Sequence, residues 1–243
     1  MRLRVIGCSP AWPNPGEAQS GYLVEEDGRR LLLDCGPGVV ERLRALESGG
    51  WARVDAIVIS HLHHDHWGDL VSWVWGNLAG PGKELELPEL WLPPDGRERL
   101  AEFAAWLAWA EIFEQSFRLR DYELKTAFTA AGFEVTAVGV PHYTAPSNAL
   151  RVVGRDRTLV YSGDSGPNQA LVDLAHGADL FLCEAAIERP DLDWDPRTHM
   201  SAEEAVAAFE ASGAARLLLT HRPRELAPPD GCELAREGLE IAI

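Results

Sequence analysis

Four predicted β-strands of this chain each run directly into a histidine or an aspartate. AIVIS leads into His61, VTAVGV into Pro141 and His142, TLVYSG into Asp164, and RLLLT into His221. In layered α/β proteins, functional sites are built in the loops beyond the strand ends. Because four separate strands deliver a metal-ligating residue type at the same kind of position, the sequence predicts an α/β fold with a metal site.

The rest of the chain supports α/β layers, because strand-like runs alternate with helical ones. The predicted strands are Leu3–Ile6, Gly21–Glu25, Arg30–Asp34, Ala56–Ser60, Phe133–Val140, Ala149–Val153, Thr158–Ser162, Leu180–Glu184 and Arg216–Thr220. Helices are predicted over Gly38–Ser48, Asn168–His176 and Ser201–Ser212. The last is the clearest, because Ser201 and Glu204 fit a capping box and Gly213 is a stop signal.

The length and composition predict one domain over residues 1–243. A chain of 243 residues with 46% hydrophobic residues builds a sizeable core, and no repeat or linker divides it. The longest apolar run, FAAWLAWAEIF from Phe103, is too short to span a bilayer, which needs roughly 20 residues. The start, MRLRVIGCSP, is typical of a strand entering a loop, so we expect a cytoplasmic protein without membrane contact.

The middle of the chain, about residues 71–131, has a different composition. It carries the tryptophans Trp73, Trp75, Trp91, Trp106 and Trp109, and its stretch PGKELELPELWLPPDG is predicted to be loop and turn. One interpretation is an insertion that acts as a lid or as the surface of a homodimer. The other is ordinary core packing, because aromatic side chains mostly fill cores.

The run SHLHHDHWGDL contains the pattern H-x-H-x-D-H, made by His61, His63, Asp65 and His66. In an extended segment, His61 and His63 point the same way, and Asp65 and His66 then turn in another direction. One short loop can therefore supply ligands to two neighbouring metal ions. Imidazole together with carboxylate suits zinc, and it also suits manganese or iron.

The order of these motifs resembles the metallo-β-lactamase superfamily over essentially the whole chain. SGYLVE, LLLDCGPG, the histidine run, YSGDSG and LLLTH all occur in family order. The resemblance implies a four-layer αββα sandwich with two zinc ions at one edge. It also implies the ligands: His61, His63 and His142 for one metal, Asp65, His66 and His221 for the second, and a bridging Asp164.

Two further residues are similar to the RNase Z branch of that superfamily, which processes tRNA 3′ ends. His199 lies in THMSAEEA, and Glu184 ends the strand in FLCEA. The resemblance implies that Glu184 pairs with His199 and that His199 protonates the leaving oxygen. Together with Asp65, these two residues form the predicted catalytic set.

The chain departs from RNase Z between the third histidine motif and the bridging aspartate. RNase Z enzymes carry a long arm there that grips tRNA, whereas His142 and Asp164 are only 22 residues apart, which a loop and two strands nearly fill. A formal net charge of −16 also disfavours a broad grip on nucleic acid. The chain therefore resembles an armless, short-form relative, and nucleic acid is disfavoured as a partner.

The function expected from this resemblance is a dinuclear zinc phosphodiesterase. It would hydrolyse a small or unfolded phosphodiester by attack of metal-bound hydroxide, and His199 and Glu184 favour this interpretation. The alternatives are a tRNA 3′-processing endoribonuclease and a carboxyl hydrolase acting on a lactone, a thioester or a β-lactam. A fourth hypothesis, beside these two alternatives and the phosphodiesterase, is a non-catalytic metal-binding module, which would predict a defective ligand set.

Overall fold

The structure is a computed structural model that describes residues 1–47 and 50–243. Within these residues, thirteen strands form two sheets. The strands are β1 (Arg2–Gly7), β2 (Gly21–Glu26), β3 (Arg29–Leu33), β4 (Ala56–Val58), β5 (Glu89–Leu92), β6 (Arg118–Asp121), β7 (Ala127–Ala130), β8 (Phe133–Val140), β9 (Ser147–Val153), β10 (Thr158–Tyr161), β11 (Leu180–Glu184), β12 (Leu217–Thr220) and β13 (Glu240–Ala242).

Both sheets mix antiparallel and parallel pairs. The first sheet has the order β13-β1-β2-β3-β4-β5-β6, antiparallel up to β3 and parallel from β3 to β6. The second has the order β12-β11-β10-β9-β8-β7, antiparallel from β7 to β10 and parallel from β10 to β12. Parallel neighbours end at the same edge of a sheet, which is where ligand sites form in α/β folds.

Helices cover the outer faces of the two sheets. They are α1 (Val39–Leu46), α3 (Leu70–Ala79), α4 (Gly96–Trp106), α5 (Gln169–Leu174) and α6 (Ala202–Ser212). The single turn α2 (His64–Trp67) lies between β4 and α3, and a 3-10 turn covers Pro190–Leu192. Apolar residues of α1, α3 and α4 share one cluster with the first sheet, and those of α5 and α6 share another with the second. No helix in the described residues is long and apolar enough to cross a membrane.

The main core lies between the two sheets and follows from the two-residue period of the strands. On β3, Leu31 and Leu33 face this inner core, whereas Leu32 belongs to the cluster under the helices. Phe133 and Val135 on β8 face the same core from the second sheet. Helix, sheet, sheet and helix thus form four layers, and the predicted αββα sandwich is confirmed.

The helix with the clearest sequence signals has the predicted bounds. Ser201 Oγ accepts a hydrogen bond from the Glu204 amide, and the Glu204 carboxylate accepts one from the Ser201 amide. Gly213 ends α6 with a φ of 65°. Of the helix predicted over Gly38–Ser48, the structure describes Val39–Leu46, and its predicted end at Ser48 lies outside the described residues.

The prediction of loop and turn for PGKELELPELWLPPDG was wrong in part, because Glu89–Leu92 forms β5 inside it. This strand is short and has a proline at each end, so its local signal is weak. Parallel pairing with β4 and β6 stabilises it, and Leu90 and Leu92 are fully buried. Partners distant in sequence therefore decide its conformation.

The tryptophans of the middle segment divide between core and surface. Trp73 is buried under the first sheet, in contact with Trp51 and Phe117. Trp75 and Trp106 are exposed. Part of the segment is therefore ordinary core, and a lid or homodimer surface stays a prediction for the exposed part.

Candidate metal centre and catalytic site

The predicted site residues all come together at one edge of the sandwich, beyond the ends of five strands. Glu184 is the last residue of β11, and His221 directly follows β12. His61 follows β4, His142 follows β8 and Asp164 follows β10. The strand-end pattern therefore has a structural basis, because these strands deliver their end residues to the same edge.

The first group of donors consists of His61, His63 and His142, whose ligand atoms lie within 4.8 Å of one another. His63 Nδ1 is 2.8 Å from His142 Nε2. His63 still has an extended backbone, with φ −74° and ψ 142°, and the chain coils into α2 from His64 onward. The change from extended chain to helix separates the directions of His61 and His63 from those of the next two donors.

The second group consists of Asp65, His66, Asp164 and His221, again within 4.8 Å of one another. Asp164 Oδ1 is 3.3 Å from His66 Nε2, and Asp164 Oδ2 is 3.2 Å from His221 Nε2. The same Oδ2 atom is 3.9 Å from His61 Nε2 and 3.8 Å from His142 Nε2. Asp164 therefore lies between the two groups.

Four of the histidines are oriented by a contact to the other ring nitrogen. The Nδ1 atoms lie against Ser60 Oγ for His61 (3.1 Å), Asp34 Oδ2 for His66 (2.8 Å), the Thr198 carbonyl for His142 (3.0 Å) and Ser20 Oγ for His221 (3.2 Å). Each contact leaves Nε2 facing the cluster. Such partners fix the tautomer and the ring direction of a metal-ligating histidine.

The inward atoms fit a divalent cation. His61 Nε2, His66 Nε2, Asp65 Oδ2 and Asp164 Oδ1 are buried without a hydrogen-bond partner in the described chain. Buried polar atoms are normally satisfied, because leaving them unpaired is costly. Imidazole nitrogens and carboxylate oxygens are common ligands of zinc, manganese and iron. Divalent metal ions are therefore the chemical group that this donor set suits.

The pKa shifts differ between the two donor groups. Burial lowers the pKa of His61 and His63, and it lowers the pKa of His142 to about 4, so these imidazoles are neutral at pH 7. Burial opposes ionisation of Asp65, but His66 overcomes it and holds the pKa at about 2. Burial also disfavours the charged form of His66, but the carboxylates of Asp164, Asp65 and Asp34 overcome this and raise the pKa of His66 well above its usual value. The first donor group thus presents neutral nitrogens, whereas His66 must release its proton when a metal binds.

Asp34 is a site residue that the motif analysis did not single out. Its buried carboxylate accepts hydrogen bonds from the Ser60 amide (2.7 Å), Ser60 Oγ (2.8 Å), Tyr161 Oη (2.8 Å) and His66 Nδ1 (2.8 Å). Its φ of 60° lies in the left-handed region, which aspartate tolerates better than most residues. The only sequence signal was its position in LLLDCGPG, directly after β3.

The predicted pair of His199 and Glu184 is present beside the donors. His199 Nδ1 donates to Glu184 Oε1 at 2.9 Å, and the His199 ring centroid is 4.8 Å from that of His142. Burial disfavours the charged imidazole, but the Glu184 carboxylate overcomes this and raises the pKa of His199 to about 9. His199 therefore carries a proton at pH 7 next to the cluster.

Glu184 is itself fixed by the backbone around it. It is fully buried, and its carboxylate accepts hydrogen bonds from the amides of Ser165 (2.7 Å), Ala186 (3.1 Å) and Met200 (3.3 Å). These bonds tie the strand end of β11 to the loop after Asp164 and to the start of α6. The geometry of the His199–Glu184 pair is thus set by three separate parts of the chain.

A second residue missed from the sequence, Asp193, holds the segment that carries His199. Its carboxylate accepts hydrogen bonds from the amides of Trp194, Thr198 and His199, and from the side chains of Thr198 and Arg197. These contacts keep its pKa below the usual value, although burial opposes the shift. Nothing in its sequence surroundings separates it from the neighbouring acidic residues Asp191 and Asp195.

The interval between His142 and Asp164 contains the loop and the two strands that the sequence predicted. β9 and β10 pair in an antiparallel hairpin, with the turn over residues 154–157. Every residue of this interval is described, and it contains no extended arm. The prediction of a hairpin in place of an arm is therefore confirmed.

Comparison with known proteins gives a family and close relatives. The profile of the Beta-lactamase superfamily domain matches residues 29–222. The chain is 30% identical over 227 residues to the probable metallo-hydrolase YhfI of Bacillus subtilis (strain 168), covering 92% of this chain and 87% of YhfI. It is 26% identical over 253 residues to a ribonuclease Z of Mycobacterium bovis, covering 94% of this chain and 88% of that enzyme.

Solved structures share the fold over the whole chain. The crystal structure of the metallo-β-lactamase fold protein YhfI superposes with a TM-score of 0.83 at 24% identity, over 99% of this chain and 98% of that one. Human tRNase Z, short form, gives 0.78 at 22% identity, over 100% and 99% of the two chains. A diphosphatase from the PhnP family gives 0.79 at 20% identity, over 100% and 97%. The chain is therefore a member of the metallo-β-lactamase superfamily and a metal-dependent hydrolase.

Proposed function

We propose that this hydrolase cleaves small or unfolded phosphodiesters with two zinc ions. His61, His63 and His142 would hold one ion, Asp65, His66 and His221 the other, and Asp164 would contact both. A bound metal pair supplies a water of lowered pKa and positive charge for the transition state. The donor types suit manganese and iron as well, so the proposal concerns the pair of sites and zinc as their first occupant.

The observation that carries the proposal is the pair of partly buried His199 and buried Glu184 beside the donor cluster. A protonated imidazole is held at a fixed angle by a carboxylate 2.9 Å away. An acid in that position is most useful where a poor leaving oxygen must receive a proton, as when an alcohol leaves phosphorus. Cleavage of a thioester gives His199 no comparable task, because a thiolate leaves without a proton.

In the proposed reaction, His199 is the general acid. The oxygen of water forms a bond to phosphorus, and the bond from phosphorus to the leaving oxygen breaks. His199 gives its proton to that oxygen, so the products are an alcohol and a phosphomonoester, and a proton of the water is released. Glu184 stabilises the charged imidazole before the transfer and orients it during the transfer.

A tRNA 3′-processing activity is the second candidate, favoured by the ribonuclease Z relatives. Against it, the interval from His142 to Asp164 forms only the hairpin of β9 and β10. The net charge of −16 also opposes a broad grip on a polyanion, because nucleic-acid affinity depends on clustered basic residues. These two features rank small or unfolded diesters first.

The role of His199 is tested by leaving-group dependence in zinc-loaded protein. The two substrates are methyl p-nitrophenyl phosphate, whose nitrophenolate leaves without a proton, and a dialkyl phosphodiester, whose alkoxide needs one. We expect His199→Ala to lower kcat by about 10²–10⁴-fold on the dialkyl ester, the usual contribution of a general acid. The loss on the aryl ester should be much smaller.

His176→Ala is the matched control, because this histidine is exposed and its ring hydrogen-bonds to the carbonyl of Ser212, away from the donors. It should leave both rates unchanged. Equal losses on both substrates in His199→Ala would argue against proton donation and for a purely structural role. Metal content is measured in each variant, so that loss of zinc is not mistaken for loss of the acid.

A further inference from the structure

Two large aromatic side chains stand exposed at the rim of the donor cluster. Tyr143 is 45% exposed and Trp194 is 69% exposed, although side chains of this size usually bury most of their surface. Their ring centroids are 6.2 Å apart, and the ring planes meet at 70°. Together they form an open corner of two aromatic faces.

This corner lies against the groups that would act on the substrate. The Tyr143 ring centroid is 5.7 Å from that of His199, 4.8 Å from that of His142 and 5.9 Å from that of His63. His142 and His63 belong to the first donor group, and His199 is the proposed acid. A ring held by Tyr143 and Trp194 would therefore lie beside both the first donor group and the proposed acid.

Tyr143 has an unusual backbone conformation, and the backbone of Trp194 is fixed by a hydrogen bond. Tyr143 has a φ of 45°, in the left-handed region that a bulky residue rarely adopts and that carries a conformational cost. The Trp194 amide donates to Asp193 Oδ1 at 2.8 Å, and the same carboxylate anchors His199. The Asp193 carboxylate thus fixes the backbone of both Trp194 and His199, so the positions of these two residues depend on each other.

Resting on the proposed phosphodiesterase function, we propose that Tyr143 and Trp194 form a subsite for the planar base of a nucleotide phosphodiester. A flat heteroaromatic base stacks on aromatic side chains, and the strength of stacking depends little on which base it is. Phosphodiesters of nucleosides carry such a heteroaromatic ring close to phosphorus, joined to it through the sugar. The substrate class is accordingly a phosphodiester that carries a nucleobase, with the base outside the metal cluster.

The subsite is tested by binding, which does not depend on turnover. Isothermal titration calorimetry of zinc-loaded protein gives the dissociation constants of adenosine 5′-monophosphate and of ribose 5-phosphate, which has the same phosphate and no base. We expect the nucleotide to bind about 5- to 100-fold more tightly, the range that one base-stacking contact gives. Trp194→Ala and Tyr143→Ala should each lower that ratio, and Tyr143→Phe should retain it.

Trp106→Ala is the matched control, because Trp106 is 80% exposed on α4 and its ring packs on Phe103 of the same helix. It should leave the ratio unchanged. No preference for the nucleotide in the wild-type protein, or a preference that survives in both alanine variants, would overturn the subsite. The same holds if neither compound binds.

Failure of the subsite is separable from failure of the phosphodiesterase proposal. Hydrolysis of methyl p-nitrophenyl phosphate without any base preference in binding would leave the enzyme function intact and remove the subsite. A base preference that depends on Trp194 and Tyr143, in protein that cleaves no diester, would keep the subsite and remove the phosphodiesterase.

Discussion

Asp34 links four groups around the metal-ligating cluster through one buried carboxylate. It binds both the amide and the hydroxyl of Ser60, the residue that precedes His61, and it also binds Tyr161 and His66. Because Asp34 Oδ2 accepts a hydrogen bond from His66 Nδ1, His66 Nε2 faces the other donors. The direction of one proposed ligand and the path of the chain before another therefore depend on this residue.

Asp34→Asn is expected to weaken metal binding without removing a ligand. The amide keeps the shape of the side chain and tolerates the positive φ, but it loses the charge that orients His66. Zinc affinity should fall by about 10–100-fold, as it does when such outer partners are changed. The affinity is measured by competition with a chromogenic chelator.

The control for that change is Asp69→Asn. Asp69 follows the histidine run closely, but its carboxylate bonds to the Val40 amide and to Ser72 Oγ, away from the donors. Zinc affinity should be unchanged there. An equal loss in both variants would show that any buried charge near α2 matters, and an unchanged affinity in Asp34→Asn would contradict the role given to Asp34.

Single residues of the site could be predicted from the sequence where their chemistry is distinctive. His61, His63, Asp65 and His66 stand together in one run, and that run alone indicates metal binding. Asp34 and Asp193 could not be predicted in this way, because their roles depend on hydrogen bonds to residues that are far away or unremarkable. Such roles become visible only when the partners are in place.

The segment between β11 and α6 acts as one structural element of the site. It begins at buried Glu184, includes the short 3-10 turn, and ends at the capping box of Ser201. Asp193 lies in its middle and binds three amides of the segment. The position of His199 above the cluster thus depends on the whole segment.

Asp193→Ala is expected to loosen this segment. Several donors would lose a buried acceptor, so the free energy of unfolding should fall by about 1–3 kcal/mol. His199 would be placed less accurately, and kcat on the dialkyl ester should fall more than kcat on methyl p-nitrophenyl phosphate. Thermal unfolding and the two rates are the measurements.

Asp191→Ala is the matched control in the same segment, because Asp191 is exposed and pairs with Arg189 at the surface. Neither stability nor the ratio of the two rates should change. If Asp193→Ala lowers stability but leaves the rate ratio at the wild-type value, Asp193 supports the fold without positioning His199.

At the scale of elements, the sequence predicted those with strong local signals. Strands β8 and β11 have the predicted bounds, because each is a continuous or alternating apolar run. β5, β6, β7 and β13 were missed, because each is short and mixes its few large apolar residues with charged or small ones, so that it depends on its neighbours in the sheets. The strands that position site residues were among those predicted, so the site could be located despite the gaps.

The whole molecule places a polar, partly anionic cluster at one edge of an apolar four-layer sandwich. Leucine, valine and phenylalanine side chains of β3 and β8 pack in the inner core between the sheets, and the donors begin where the strands end. The layers therefore hold the donors that follow four separate strands, β4, β8, β10 and β12, at fixed distances. Fold and family could be predicted from the order of motifs, but the substrate could not, because loops outside the shared fold determine it.

The most direct test of this function is hydrolysis of bis(p-nitrophenyl) phosphate by zinc- or manganese-loaded protein, beside p-nitrophenyl acetate as the carboxyl ester with the same leaving group. Metal content is determined in the same samples, and Asp65→Ala controls for contaminating activity. We expect two metal ions per chain and turnover of the phosphodiester that Asp65→Ala abolishes. Protein with both ions bound that hydrolyses the acetate and leaves the phosphodiester intact would contradict the proposal.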